Sequence, residues 1–382
     1  MIVLLHTSAD WHLLDSPLIR NGYIGVDFFF ALSGFVIAKS YGPRLENLRD
    51  FVRFIIVRLG RLWPLHGFMM GMFLLYYGAM YYMRGKGPFG TTGEYSAGWI
   101  WGWNVREALF LNAFMNEGRV RHLFANFPAW SINAEFWAYV SFGLIMCFFS
   151  GSKLLRGVVF YGAATASALV VVGAITPPFG AAWGWSLFRA IFFFACGTVA
   201  FRVWEHGALA KVLGNTGAEM ALVAGWIVVL ATLRHLPAAT PMTALLASLM
   251  LVSFAYNKGA VSRLLTARPM VRLGELSYSV YLTHILVLSV VAKVVRVGAG
   301  TFEASTECQR IVNGHDVIVT CFGSPWFMDL FVIAQLALVI AVSHLTFAWI
   351  EMPGQRASKT FAKRLFAQVD SGAAAASKPT LM

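Results

Sequence analysis

The sequence predicts an all-α fold, a polytopic membrane helix bundle of about ten transmembrane helices with the first one truncated. Two observations carry this. Of 382 residues, 58% are hydrophobic and only 13% are charged, too little polar surface for a soluble chain of that length. Uncharged, mostly apolar runs long enough to cross a bilayer also recur along it. The 13 Trp suit interfacial belts.

Nine spans are expected, at roughly 24–41, 65–83, 132–149, 157–175, 183–201, 219–233, 239–256, 276–295 and 330–350. "TPP" at 176–178 divides what would otherwise be one overlong apolar run. The opening "MIVLLH" reads as the last turns of a tenth helix and is too short for a signal-peptide core. The main body is expected over 1–355, followed by a basic, low-complexity, disordered cytoplasmic tail over 356–382. No internal repeat stands out.

Charge orients the bundle. Lys39, Arg44, Arg49, Arg53, Arg58 and Arg61 fall in the segment 39–64, and Lys258, Arg263, Arg268 and Arg272 in 257–272. Arg356, Lys359, Lys363, Arg364 and Lys378 follow the last span. With alternating spans these segments share one side with Lys153-Arg156 and Arg202-Lys211, and the positive-inside rule makes that side cytoplasmic. Segments 6–23, 84–131 and 297–329 fall opposite. The net charge of +12 is thereby read as topology and not as a nucleic-acid surface. Cys147 and Cys196 lie in apolar spans and read as packing residues. Cys308 and Cys321 share one loop without metal-ligand spacing and can form a disulfide if it faces an oxidising compartment. No metal site is expected.

Ionisable residues in or beside the spans are the candidates for chemistry. His6 is followed by Asp10, on the same face if the helix continues, and lies near Asp27 in topology. A carboxylate beside a His orients the ring and raises its basicity, which suits a general base; the other reading is an interfacial helix-end His. Arg58 and Arg61, in "RLGRLWP", project together and suit a phosphate-bearing ligand, or else anchor the helix at lipid headgroups. Glu135 lies in "PAWSINAEFWAYV" amid Trp130, Phe136, Trp137 and Tyr139, with Ser131 on its helix face. It could hold a hydroxyl substrate, pair with His6 or face solvent. In "LGELSYSVYLTHILV", Tyr278, Tyr281 and His284 share a face, and a mid-span His284 needs a partner on a neighbouring helix. Arg189, His344 and Glu351 are expected to pair internally.

Taken in order, these motifs resemble the bacterial membrane acyltransferase-3 family, which O-acylates surface polysaccharides and related glycans. The resemblance runs through His6, "GVDFFFALSGF" at 25–35, "FIIVRLGRLWP" at 54–64, "WSINAEFWAY", "RAIFFFACG", "LGELSYSVYLTH" and "EMP" at 351–353, and covers essentially the whole chain. Two departures stand out. The family's Arg, roughly ten residues before the His, has no counterpart here. The second of two consecutive Glu in the Trp-Ser motif is Phe136.

The resemblance implies acyl transfer, most often of acetyl, from cytoplasmic acyl-CoA to a sugar hydroxyl, in the bacterial inner membrane. It makes His6 the catalytic His, with Glu135 and Asp27 in support. Arg58 and Arg61 would bind the CoA phosphates, and Trp130, Ser131, Tyr278 and His284 the substrate. The acceptor stays open among a lipopolysaccharide O-antigen, an exopolysaccharide, a lipid-linked sugar and a secondary metabolite. So does the route, a tunnel or a relay through an acyl-enzyme. In "GVDFFFALSGF", the Ser33-Gly34 notch either lets helices pack closely or leaves room for an acyl chain. The rival readings are a glycan or lipid transporter or flippase, which would carry inverted repeats and midplane breaks, and an inactive homologue.

Overall fold

A computed structural model describes residues 1–84, 97–114, 126–174, 186–232, 239–300, 306–312 and 314–376. Each expected span falls in a helix. After the short α1 (Ile2–His6) come α2 (Gly25–Tyr41), α3 (Leu48–Arg84), α4 (Ala97–Ala108), α5 (Ala129–Phe148), α6 (Lys153–Ala174) and α7 (Ser186–His206). Then follow α8 (Thr216–Thr232), α9 (Ala239–Tyr256), α10 (Arg268–Gly300), α11 (Pro325–Thr346) and α12 (Met352–Ala376). By length and composition, six helical stretches among the described residues can cross a membrane, and α8 and α9 hold shorter apolar helices. Phe148, Leu154, Leu169 and Trp349 are largely exposed on the bundle surface, as lipid-facing side chains are. The protein is an all-α, multi-pass membrane protein. The break at 176–178 lies outside the described residues.

Three features depart from the expected layout. First, the basic stretch before the 65–83 span is not a loop beyond residue 48. It is the first half of α3, whose 37 residues extend about 55 Å at 1.5 Å per residue, against about 30 Å of hydrocarbon. Pro64 lies inside this helix, and its ring packs against Gly354 of α12.

Second, the tail expected to be disordered from 356 is helical as far as Ala376. The reason is packing. Gly60 of α3 leaves no room for a Cβ beneath Ser358, so the two helices meet backbone to backbone. Ala362 is buried in the contact. Arg49 donates to the Phe366 carbonyl at 2.8 Å and lies over the Phe366 ring.

Third, the segment 297–329 contains an antiparallel hairpin, β1 (Glu307–Val312) and β2 (His315–Thr320), with Cys308 opposite Val319. Gly314 turns it at a φ of 76°, a region Gly enters without steric penalty. Cys308 and Cys321 are joined in a disulfide, while Cys147 and Cys196 remain free thiols. At the end of β2, the Thr320 amide donates to the Ser8 carbonyl and the Asp10 amide to the Thr320 carbonyl, both at 2.9 Å. The chain just after His6 is thus zipped to a sheet edge.

The centre of the bundle is α2 against α7. Gly34 faces the Phe194 carbonyl and Gly197 faces the Ala31 carbonyl, each too close for a Cβ. Small residues at such a crossing let backbones approach, as membrane helices do where apolar burial gives no drive to associate. Around this wedge Phe30, Phe54, Phe136, Phe142 and Phe193 belong to one packed core.

Candidate functional site

The face of α2 opposite Gly34 carries Ser33. Its hydroxyl donates to Glu135 Oε1 of α5 at 2.8 Å and meets the Tyr139 hydroxyl at 2.8 Å. Tyr139, one turn after Glu135, donates to the same oxygen at 2.5 Å. Gly34 closes the helix pair, as the close-packing reading of the notch expects, and Ser33 lines a cavity.

That cavity, of about 290 Å³, is lined by Ser33, Arg58, Arg61, Ser131, Glu135 and Tyr278 among others. Arg58 and Arg61 project into it from α3, as their spacing predicts. Arg58 donates to the Tyr41 hydroxyl at 2.9 Å and lies over the rings of Tyr41, Phe54 and Tyr139. Its Nε is buried without a partner among the described residues. Arg61 stands in the field of two carboxylates, Glu135 and Glu351. Glu351 is itself held by Ser279 at 2.7 Å and Gln355 at 3.1 Å. Tyr278 donates to the Leu62 carbonyl at 2.5 Å, so α10 is pinned to α3 beside the arginines. Mixed charges on one wall and aromatic rings on the other suit an elongated ligand with an anionic end.

At the far end of the cavity Ser131 and Tyr281 share a hydrogen bond of 2.7 Å, and Tyr281 donates to the Pro128 carbonyl at 2.9 Å. The Tyr281 ring lies 6.0 Å from the ring of His284, one turn on. His284 is fully buried and stacks on His6, with Nε2 3.0 Å from His6 Nδ1. Its Nδ1 lies 3.2 Å from the Val280 carbonyl. A carbonyl only accepts, so the partners assign the proton to His284 Nδ1 and leave its Nε2 as an acceptor. His6 must then donate from Nδ1, which places the lone pair on its Nε2. Phe127 packs edge-on to His6 at 6.0 Å.

Other candidates lie elsewhere. Asp10 does not orient His6: it pairs with Arg310 through two bonds, at 2.8 and 2.6 Å. The hairpin, not helix continuation, sets the direction of the chain there. Glu135 is bound to Ser33 and Tyr139 and not to His6. Asp27, expected beside His6, makes a two-pronged pair with Arg189 of α7, at 2.6 and 2.7 Å. Trp130 packs on Phe30 at 6.3 Å, beside the cavity wall. His344 meets Arg272 at 3.3 Å.

Sequence reasoning missed the His6–His284 pair and a second polar cluster. In that cluster Glu107 accepts from Asn133 at 3.0 Å and from Asn112, and lies 3.6 Å from His66. Its position in the segment 84–131, read as a loop, hid it. The Tyr139 partner of Glu135 was findable, since four residues is one helical turn.

The acyltransferase-domain family model (Acyl_transf_3) matches residues 1–344. "Protein 2 in picA locus" from Rhizobium radiobacter is 32% identical over 141 residues, which cover 35% of this chain and 70% of that protein. No solved structure matches the chain significantly.

Proposed function

The chain belongs to the acyltransferase-3 family, and on that premise we propose that it moves an acyl group, acetyl first among them, from acyl-CoA to a hydroxyl of a glycan. The donor approaches from the basic end, which the positive-inside rule makes cytoplasmic. The acceptor approaches from the end that carries the hairpin. The observation that carries this reading is one cavity reaching from Arg58 and Arg61 to Tyr281, a single ring short of the His284–His6 pair. The fit of an anionic donor rests on Arg58, whose buried Nε has no partner among the described residues.

In this mechanism His6 Nε2 takes the proton of the acceptor hydroxyl. The freed oxygen attacks the thioester carbonyl, so a C–O bond forms as the C–S bond breaks. The His6 proton then passes to the leaving sulfur, giving the ester and free CoA. His284 holds His6 in the required tautomer and accepts its Nδ1–H throughout. A positioned base of this kind contributes about 10²- to 10⁴-fold. Ser33 and Tyr139 fix Glu135, and Glu135 with Glu351 sets the position of Arg61 against the donor. Asp27 supports the site indirectly, by locking α2 to α7.

The test is O-acylation of cell glycans, with transfer from labelled acetyl-CoA by purified protein in nanodiscs. Wild-type protein is expected to form an alkali-labile glycan ester, and His6→Ala to lose it while keeping its thermal unfolding. Unaltered ester in His6→Ala would remove His6 from the mechanism. Absence of any acyl-CoA turnover or binding by wild type would remove the reaction.

A further inference from the structure

A second cavity opens at the basic end, on the other side of the Tyr41–Arg58 contact. It has a volume of about 420 Å³ and lies between the end of α2, the first turns of α3 and α12. Arg44, Arg53 and Lys359 line it, together with Asp50. Asp50 is engaged with the backbone just ahead of α3, accepting from the Glu46 amide at 3.4 Å. Three cations therefore face one carboxylate. None of the three has an ion-pair partner among the described residues. Unpaired cations gathered in a concave site, and not spread over a face, are the composition of a phosphate-ester site.

Construction of the site supports the same conclusion. Lys359 follows Ser358, which seats directly on Gly60, and the Arg49–Phe366 bond fastens the same helix farther along. Lys359 is thus delivered to the cavity by a docked helix. Tyr41 lines this cavity and also receives the bond from Arg58, which lines the inner one. Along α3, Arg53 precedes Arg58 by five residues, about 7.5 Å of helix rise. Arg53 lines the outer cavity, and Arg58 and Arg61 the inner one.

We propose that Arg44, Arg53 and Lys359 bind a terminal phosphate monoester of the donor, the 3′-phosphate of its nucleotide, while Arg58 and Arg61 meet the phosphates nearer the acyl chain. The inference rests on the proposed function. In it α12 is a donor-binding element, and the Tyr41–Arg58 contact stands between the headgroup and the acyl cavity. The same chemistry is offered by the phosphate of an anionic lipid at the membrane surface, so the experiment separates the two sources.

The probes are CoA and 3′-dephospho-CoA, and their acetyl forms, with wild type, Arg53→Gln and Lys359→Gln in nanodiscs of neutral lipid and of lipid containing phosphatidylglycerol. Wild type in neutral lipid is expected to favour the 3′-phosphorylated compound about tenfold in Kd and KM, the size of one charge-assisted contact, or about 1.4 kcal/mol. In each variant that ratio falls toward one. Binding of both compounds with an unchanged ratio in the variants overturns this site and leaves the proposed function standing. A ratio that changes only in phosphatidylglycerol assigns the cavity to lipid and overturns the donor assignment. Failure of wild type to bind either compound overturns both. Thermal unfolding within a degree or two of wild type shows that a variant's lost ratio is not a lost fold.

Discussion

The two ends of the bundle are built by different means. At the basic end, the groups that face the cavity come from consecutive turns of continuous helices: Arg58 and Arg61 from α3, Glu135 and Tyr139 from α5. Helix geometry alone presents them together. At the opposite end, His6 comes from a helix of five residues. Its partner is 278 residues away in sequence, and its backbone continues into a bridge with Thr320 of the hairpin. The first end depends on propensity and spacing. The second depends on tertiary pairing, so it should be the more easily loosened of the two.

The sharpest way to break this comparison is His6→Ala. Loss of a positioned base is expected to lower kcat by about 10²- to 10⁴-fold while CoA binding at the basic end, read by calorimetry, stays as in wild type. A variant retaining a tenth of wild-type turnover would place the chemistry elsewhere. Next in size is Arg189→Met, which leaves Asp27 charged and alone between α2 and α7. It is expected to cost about 3–5 kcal/mol, seen as a lower unfolding temperature in detergent. Asp27→Leu combined with Arg189→Leu should regain part of that loss, because no charge is then stranded. Equal stability of the single and double variants would show that the pair is not shielded from solvent.

These two positions also show what was readable. His6, Asp27, Arg58, Arg61, Glu135 and Arg189 could all be singled out from the chain because each interrupts an apolar run, and charge in a span demands an explanation. Their partners were another matter. Tyr139 was within reach because it lies one turn from Glu135. Arg189 for Asp27 and His284 for His6 were not, because the choice among distant spans is made by packing. Asp10 shares a face with His6 only if α1 continues, and the hairpin captures that segment instead. The helical tail was missed for a similar reason: its low-complexity end masked small residues, Gly354 and Ala362, that dock it on α3.

Removing the disulfide sharpens the comparison further. Cys308→Ser with Cys321→Ser opens a link across 13 residues, worth about 2–4 kcal/mol. Protease nicking of the hairpin should rise and transfer should fall, while CoA affinity holds. If affinity fell in parallel, the two ends would be one cooperative unit. Ser33→Ala acts at the other end. Loss of a hydroxyl that donates to Glu135 is expected to cost about 1.5–3 kcal/mol, and the donor KM should rise with His6 chemistry intact. The smallest effect belongs to Arg310→Gln. Its pair with Asp10 is solvent-exposed, and although that pairing holds the guanidinium pKa up, water and salt screen it. Turnover and unfolding temperature should match wild type.

The pairing of His6 with His284 has a consequence for how the protein comes into being. Chains emerge and insert from the amino terminus onward. Until residue 284 has been synthesised, a nascent chain carries a His without the partner that sets its tautomer, and until residue 320 has followed, no sheet edge holds the backbone after it. The donor-facing arginines are complete far earlier. Yet the donor end waits longer still for Glu351 beside Arg61 and for Lys359 on α12, so a copy truncated before α12 should neither hold the donor as the whole chain does nor transfer from it.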